Sequence, residues 1–153
     1  MLRGARQTQT TAQAKRTTSM IVFAIGGQTF AMKASEVASV EPWPIWMPVP
    51  SSTPFVHALV RRGARLYAVY NLAEQWELTP SSETPLCVMV KWGREEVALR
   101  VDSQIPSLEN ADLAMIHTTD DARPGVLGEW SYQGTAIPVI SFMHLVQRVP
   151  QAA

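Results

Sequence analysis

Apolar residues along this chain gather in short runs punctuated by turn-forming residues. Met20–Ile25 is one run. Gly26-Gly27-Gln28 interrupts it and Thr29–Lys33 returns, which predicts a hairpin. Ala34–Val37 has room for one helical turn. Glu41–Pro54 carries five prolines and two tryptophans and is predicted extended but irregular, because proline offers no N–H to a ladder. Phe55–Val60 and Leu66–Tyr70 flank a predicted turn at Arg61-Arg62-Gly63. Leu72–Leu78 reads as a short helix and Thr79–Pro85 as a linker.

The same order then returns. Leu86–Trp92 and Val97–Val101 are predicted strands around a Gly93-Arg94 turn, and Asn110–Ile116 a weak short helix. Val126–Tyr132 and Thr135–Ile140 form a second hairpin around Gln133-Gly134. Ser141 is placed to cap a C-terminal helix whose apolar stripe is Phe142, Leu145, Val146 and Val149. Ala31-Met32-Lys33-Ala34 resembles Ala98-Leu99-Arg100-Val101, 67 positions on, and Gly26 precedes Gly93 by the same interval. Ala68-Val69 corresponds to Pro138-Val139, 70 positions on. The alternative to duplication is chance likeness between amphipathic hairpins. The regular spacing favours two halves of one architecture, about 20–80 and 81–149. Strands this short close readily into small barrels, since closure removes exposed edges.

Charge changes the picture at one end. Arg3, Arg6, Lys15 and Arg16 lie in the first 20 residues without an acid, although the whole chain is neutral. Residues 1–19 lack the apolar core of a secretory signal and are predicted to be a disordered basic tail. The same composition fits an organelle transit peptide. Cys87 is the single cysteine, set inside an apolar run, so no disulfide forms within the chain. That favours a reducing, cytoplasmic setting and a buried thiol. No apolar stretch approaches the ~20 residues of a membrane span.

Candidate chemistry is sparse. His57, His117 and His144 are too far apart in sequence for a local metal site, and phosphate-loop, nucleophile-elbow and zinc-protease motifs are missing. Glu95-Glu96 and Asp120-Asp121 are neighbours whose side chains would point apart in a strand. No catalytic residue, metal or cofactor is expected. Five tryptophans stand out, and those in the proline-rich segment either cap a barrel or anchor a partner. On the residues alone, a small β-barrel enzyme or ligand-binding protein and a nucleic-acid-binding SH3-like module stay open beside an interaction protein.

Several segments together resemble the CheW-like domains of bacterial chemosensory systems. Val22–Ala31 is similar to their opening hairpin, and Val37-Ala38-Ser39-Val40 to their V-x-E-V/I segment. Phe55–Leu72 is similar to the stretch F-I-x-G-V-x-N-L-R-G-x-x-x-P-V-x-D-L, and Val101-Asp102-Ser103-Gln104-Ile105 to the V-D-x-V signature. The chain departs at Ala58 (or His57 in a shifted register), Ala68, Asn71 and Ser39, which replace the family's Gly, Pro, Asp and Glu. Arg61 and Arg62 compete for the family arginine. The resemblance implies a mainly β fold of two SH3-like five-stranded barrels around a shared core, with short helices and a C-terminal helix. It implies a non-catalytic adaptor joining a chemoreceptor's cytoplasmic tip to the regulatory domain of a CheA-like histidine kinase. It also implies partner-binding roles for Val37, Ser39, Val40, Ala58, Arg61, Arg62, Asp102 and Ile105.

Overall fold

Successive side chains of a strand point to opposite faces, and in the apolar runs of this chain both faces are buried. The structure is a computed structural model that describes residues 16–50, 56–81 and 83–148, apart from the side chains of His57 and of residues 146–148. The first hairpin is β1 (Thr17–Ile25) and β2 (Gln28–Lys33). A 3-10 turn at Ala34–Glu36 leads into β3 (Val37–Pro42) and β4 (Ile45–Pro48). β5 (Val56–Arg62), β6 (Arg65–Tyr70) and α1 (Leu72–Gln75) follow. Next come β7 (Leu86–Trp92), β8 (Glu95–Val101), β9 (Ser107–Asp112) and a 3-10 turn at Leu113–Met115. β10 (Ile116–His117), β11 (Val126–Tyr132), β12 (Thr135–Ile140) and α2 (Phe142–Arg148) end the described chain.

The strands build two sheets, ordered β10-β11-β12-β2-β1-β9 and β4-β5-β6-β8-β7-β3. The orders are equivalent strand for strand, with one exchange. The opening hairpin β1–β2 joins the sheet of β9–β12, and the hairpin β7–β8 joins the sheet of β3–β6. Two parallel ladders make the joins. Val139 pairs with Ala31 and Ile140 with Met32; Val69 pairs with Ala98 and Tyr70 with Leu99. These are the two SH3-like subdomains, each extended to six strands by a short edge strand, β10 or β4.

The exchanged hairpins serve two cores each. Phe23, Ile25, Phe30, Met32, Val88, Val90, Val97 and Leu99 face a core shared by both sheets, where Tyr70, Leu72, Trp76, Phe142 and Leu145 complete the packing. The alternate residues Met20, Val22 and Ala31 pack inside the first sheet with Trp130, Ile137 and Val139. Cys87, Met89 and Ala98 pack inside the second with Val60 and Val69. A strand buried on both faces reads as a continuous apolar run, which is why Met20–Ile25 and Leu86–Val90 lack alternation. Each large side chain so buried contributes roughly 1.5–3 kcal/mol.

Polar staples fix the halves to each other. The Asp102 carboxylate accepts the Gly26 N–H at 3.0 Å and the Gly27 N–H at 2.8 Å. Glu36 accepts the Ser141 hydroxyl at 3.0 Å and the Phe142 N–H at 3.2 Å, so it caps α2 from the other half. Ser141 therefore donates to Glu36 instead of accepting from its own helix. The Arg123 guanidinium lies 5.3 Å from the ring centres of both Phe30 and Trp76 and is held by Asp121 and Gln28. Paired with Arg123, the Asp121 carboxyl is held below its ordinary pKa.

Several expected boundaries move. β1 begins at Thr17, because Thr17–Ser19 pair with β9, so these residues belong to the sheet and not to the tail. The Pro-rich segment holds β4, whose place at a sheet edge tolerates proline. Where a helix was expected over Asn110–Ile116, β9 runs on to Asp112 and only a 3-10 turn follows. The expected tail up to residue 15, Phe55 and Val149 lie outside the described residues. No helix among the described residues is long and apolar enough to cross a membrane.

Gly26 and Gly63 allow a comparison. Both have positive φ, +59° and +61°, which costs an L-residue roughly 1 kcal/mol or more. A Cβ at Gly63 meets nothing within 4 Å, whereas one at Gly26 would lie 2.7 Å from Leu78 Cβ. Gly63→Ala is expected to cost about 1 kcal/mol, and Gly26→Ala about 2–4 kcal/mol because it also forces the turn from the linker. Urea unfolding of the two variants measures the difference; equal losses would remove the close approach as a constraint.

Candidate functional site

The arginine pair of the sequence divides into two different environments. The β5–β6 ladder runs to Arg62↔Arg65, so the turn is Gly63-Ala64 and both arginines sit on strand β5. This corrects the expected turn at Arg61-Arg62-Gly63, from which both side chains would project to solvent. Arg62 instead reaches across the sheet end to Glu41 of β3. Its Nε donates to Glu41 Oε1 at 3.0 Å, and its Nη2 lies 2.5 Å from Oε2. Its Nη1 stands 3.4 Å from Glu96, and the guanidinium lies over the Tyr67 ring at 5.6 Å. Ser39 donates its hydroxyl to Glu41 at 2.6 Å. Glu41 and Ser39 are two apart on β3 and share a face, so both sit where Arg62 reaches the strand. Sequence reading missed Glu41, because only the fold brings β3 and β5 to one end of the sheet.

Arg61 points the other way. It is exposed and has no acceptor or ion pair among the described residues. Directly paired strand residues share a face, and the ladder sets Ile45, Arg61 and Leu66 in one row and Met47, Leu59 and Ala68 in the next. Ile45 is 65% exposed, Leu66 53% and Met47 41%. Ala68, on the same face, packs against the shared core. Among the described residues the face therefore runs from the junction of the sheets out to solvent, with Arg61 unpaired among its apolar side chains.

The other expected partner residues are scattered. Val40 is exposed on the edge strand β3, with Val37 half-buried against the shared core. Asp102 is occupied by the Gly26-Gly27 turn. Ile105 projects from the following loop, 85% exposed. Ala58 shares a groove with Trp43, Trp46, Val69 and Arg100, a concavity of about 500 Å³ in the second sheet. Trp43 packs against that sheet's own core, Trp46 is exposed, and Arg100 lies 5.9 Å from the Trp43 ring centre. Trp76 and Trp130 are buried core residues. Asn71, which replaces the family aspartate, caps α1 by accepting the Glu74 N–H at 3.4 Å. No group of three or more His, Cys, Asp or Glu side chains among the described residues is arranged to hold a metal ion.

Two titrations test this arrangement. The Ser39 hydroxyl, followed by the hydrogen bond and charge of Arg62, holds the Glu41 carboxyl below its ordinary value against the opposing effect of partial burial. A depressed folded pKa contributes stability above the unfolded value, near 4.5, that is lost as pH falls through the folded one. Glu41→Gln is therefore expected to unfold with a flatter acid limb below that value, read by urea midpoints against pH; an unchanged limb would dismiss the pair as a stabiliser. Burial, followed by the charge of Glu41, pushes the Cys87 thiol up to about 11, with Arg62 opposing. Cys87 should be silent to a disulfide reagent at neutral pH in the native protein and react on denaturation. Fast native labelling would contradict its burial.

No curated protein matches the sequence. The crystal structure of the scaffolding protein TtCheW from Thermoanaerobacter tengcongensis is similar in fold, with a TM-score of 0.75 at 14% identity over 88% of this chain and 94% of that one. The CheW-like domain family matches residues 19–149. With two sheets of equivalent strand order and a match over most of its length, the chain belongs to the CheW-like domain family.

Proposed function

We propose that this chain is a non-catalytic adaptor, working in the cytoplasm, that couples chemoreceptor tips to a CheA-like histidine kinase. Its family supports the adaptor class, and the solved relative is described as a scaffolding protein. The observation that carries the reading is the face of Ile45, Met47 and Leu66 around unpaired Arg61. An exposed apolar patch on a rigid sheet suits the apolar side of an amphipathic helix, and a free guanidinium selects a helix with a carboxylate at its edge. Val40 and Ile105 offer further exposed apolar contacts elsewhere on the molecule. A second partner can thus be held without competing for the first.

The division of the arginine pair sets the test. Arg61→Ala is expected to leave folding unchanged within roughly 0.5 kcal/mol and to weaken one partner by about 1–3 kcal/mol. Arg62→Ala is expected to cost about 1 kcal/mol of stability through Glu41, with little change in affinity. Titration calorimetry against a receptor-tip fragment and the kinase regulatory domain reads both variants. Binding of neither fragment by the parental protein would overturn the adaptor reading, and unchanged affinity in Arg61→Ala would remove this face from it.

A further inference from the structure

We propose that Met47 is an oxidation site that switches off the Arg61 face. Its sulfoxide presents an acceptor to Arg61 and takes that guanidinium out of the surface offered to a partner. The consequence for binding rests on the adaptor reading of this face; the chemistry at Met47 does not.

The described methionines fall into two groups. Met20, Met32 and Met89 are fully buried, and Met47, Met115 and Met143 are exposed. Only the second group offers its sulfur to a reagent in water. Met47 stands on β4, an edge strand paired only with β5, so one flank of its side chain has no strand beside it. It also has a particular neighbour. Met47 pairs directly with Leu59, and Ile45 with Arg61. These side chains share a face, which makes Met47 the diagonal neighbour of Arg61. Diagonal neighbours stand about 7–8 Å apart at the backbone, a gap that a flexible thioether and a long guanidinium side chain close between them. Leu59, paired with Met47, is half-buried and apolar, and Arg61 has no acceptor among the described residues.

The step needs an oxidant of the hydroperoxide class. The thioether sulfur attacks one peroxide oxygen with its lone pair, the O–O bond breaks and an S–O bond forms. With hydrogen peroxide, the leaving hydroxide takes the proton of the transferred hydroxyl and departs as water. The sulfur is oxidised by two electrons and the peroxide is reduced by two. The product carries a polar oxygen where an apolar side chain stood, and a hydrogen bond to it from a guanidinium is charge-assisted. Two things then change together on the face. An apolar contact beside Ile45 becomes polar, and the unpaired cation gains an intramolecular partner. A thiol-dependent sulfoxide reductase reverses both.

The test treats the full chain with hydrogen peroxide and removes the reagent before any measurement. Peptide mass spectrometry is expected to find added oxygen at Met47, Met115 and Met143 and none at Met20, Met32 and Met89. The Arg61 Nε–H resonance, assigned by Arg61→Lys, is expected to move and to exchange more slowly with water in the oxidised protein. The same treatment of Met47→Leu should leave that resonance in place. Affinity of the parental protein for the partner that Arg61→Ala weakens should drop about tenfold on oxidation, and a methionine sulfoxide reductase should restore it. Met47→Leu, whatever its own affinity, should keep it through the treatment. A Met47 that stays reduced while Met115 and Met143 oxidise overturns the proposal. So does an Arg61 resonance unmoved by the sulfoxide, or an equal loss of affinity in Met47→Leu. The first two readings come from the parental protein, so they stand even if a variant fails to fold. If the untreated protein binds neither partner fragment, the adaptor reading fails by itself, and the resonance still decides whether Met47 captures Arg61.

Discussion

Two short parallel ladders hold this molecule together. β2 meets β12 at Ala31 and Met32, and β8 meets β6 at Ala98 and Leu99. Every other feature of the fold follows from those joins, because they commit each opening hairpin to the sheet of the other half. A hairpin apolar on both faces cannot be buried by one sheet alone. It needs its own sheet's interior on one side and the opposing sheet on the other, and the shared core supplies the second. The halves are thereby interdependent. The β2–β12 pairing, which joins Ala31 to Val139, carries the larger loop-closure entropy, which the apolar area of β1, β2, β7 and β8 offsets once both ladders form.

The residues at those joins are the ones whose spacing gives the repeat away. Ala31 and Ala98 are 67 apart, as are Met32 and Leu99, and Val69 and Val139 are 70 apart. Each pair occupies equivalent ladder positions. The repeat is legible because the same small or apolar residue must fit the same crowded place twice. The exchange of hairpins is not legible. A hairpin docked on its own half would need the same pattern of buried positions, so hydrophobicity alone does not distinguish the two. The edge strands were hard to read for a related reason. β9 carries Ser107, Glu109, Asn110 and Asp112 and pairs only with β1, while β4 begins one residue after Pro44. Strands that bury little and pair on one side need little of the composition by which strands are recognised.

The candidate site shows the same limit at the level of single residues. Resemblance located the Arg61-Arg62 region, but the partner that divides the two arginines is Glu41, twenty-one residues away and on another strand. Asp102 and Asn71 also changed meaning in three dimensions. Each has its side-chain oxygens committed to backbone N–H groups, at a turn and at a helix start. A short polar side chain inside a motif cannot declare from sequence whether it faces a partner or the chain's own backbone. Burial of Cys87 was legible, because a cysteine in an unbroken apolar run has few other places to be.

The equivalence of the two sheets also shows where one is filled and the other is open. Trp130 and Ile116 are directly paired in the first sheet, and Val60 and Trp46 occupy the equivalent pairing in the second. Large and small have changed places. In the first sheet the indole stands on the inner strand β11, where it is buried in that sheet's core. In the second the inner strand offers only Val60, and the indole stands on the edge strand β4, where the core cannot enclose it. The exchange conserves the kind of side chain but moves its bulk outward, which leaves a concavity beside Arg100. Moving a tryptophan from the interior to an edge gives up burial that the fold could have used. Such a position is stable in a chain only where the remaining core suffices, and the shared core, common to both sheets and both helices, is what makes it sufficient here.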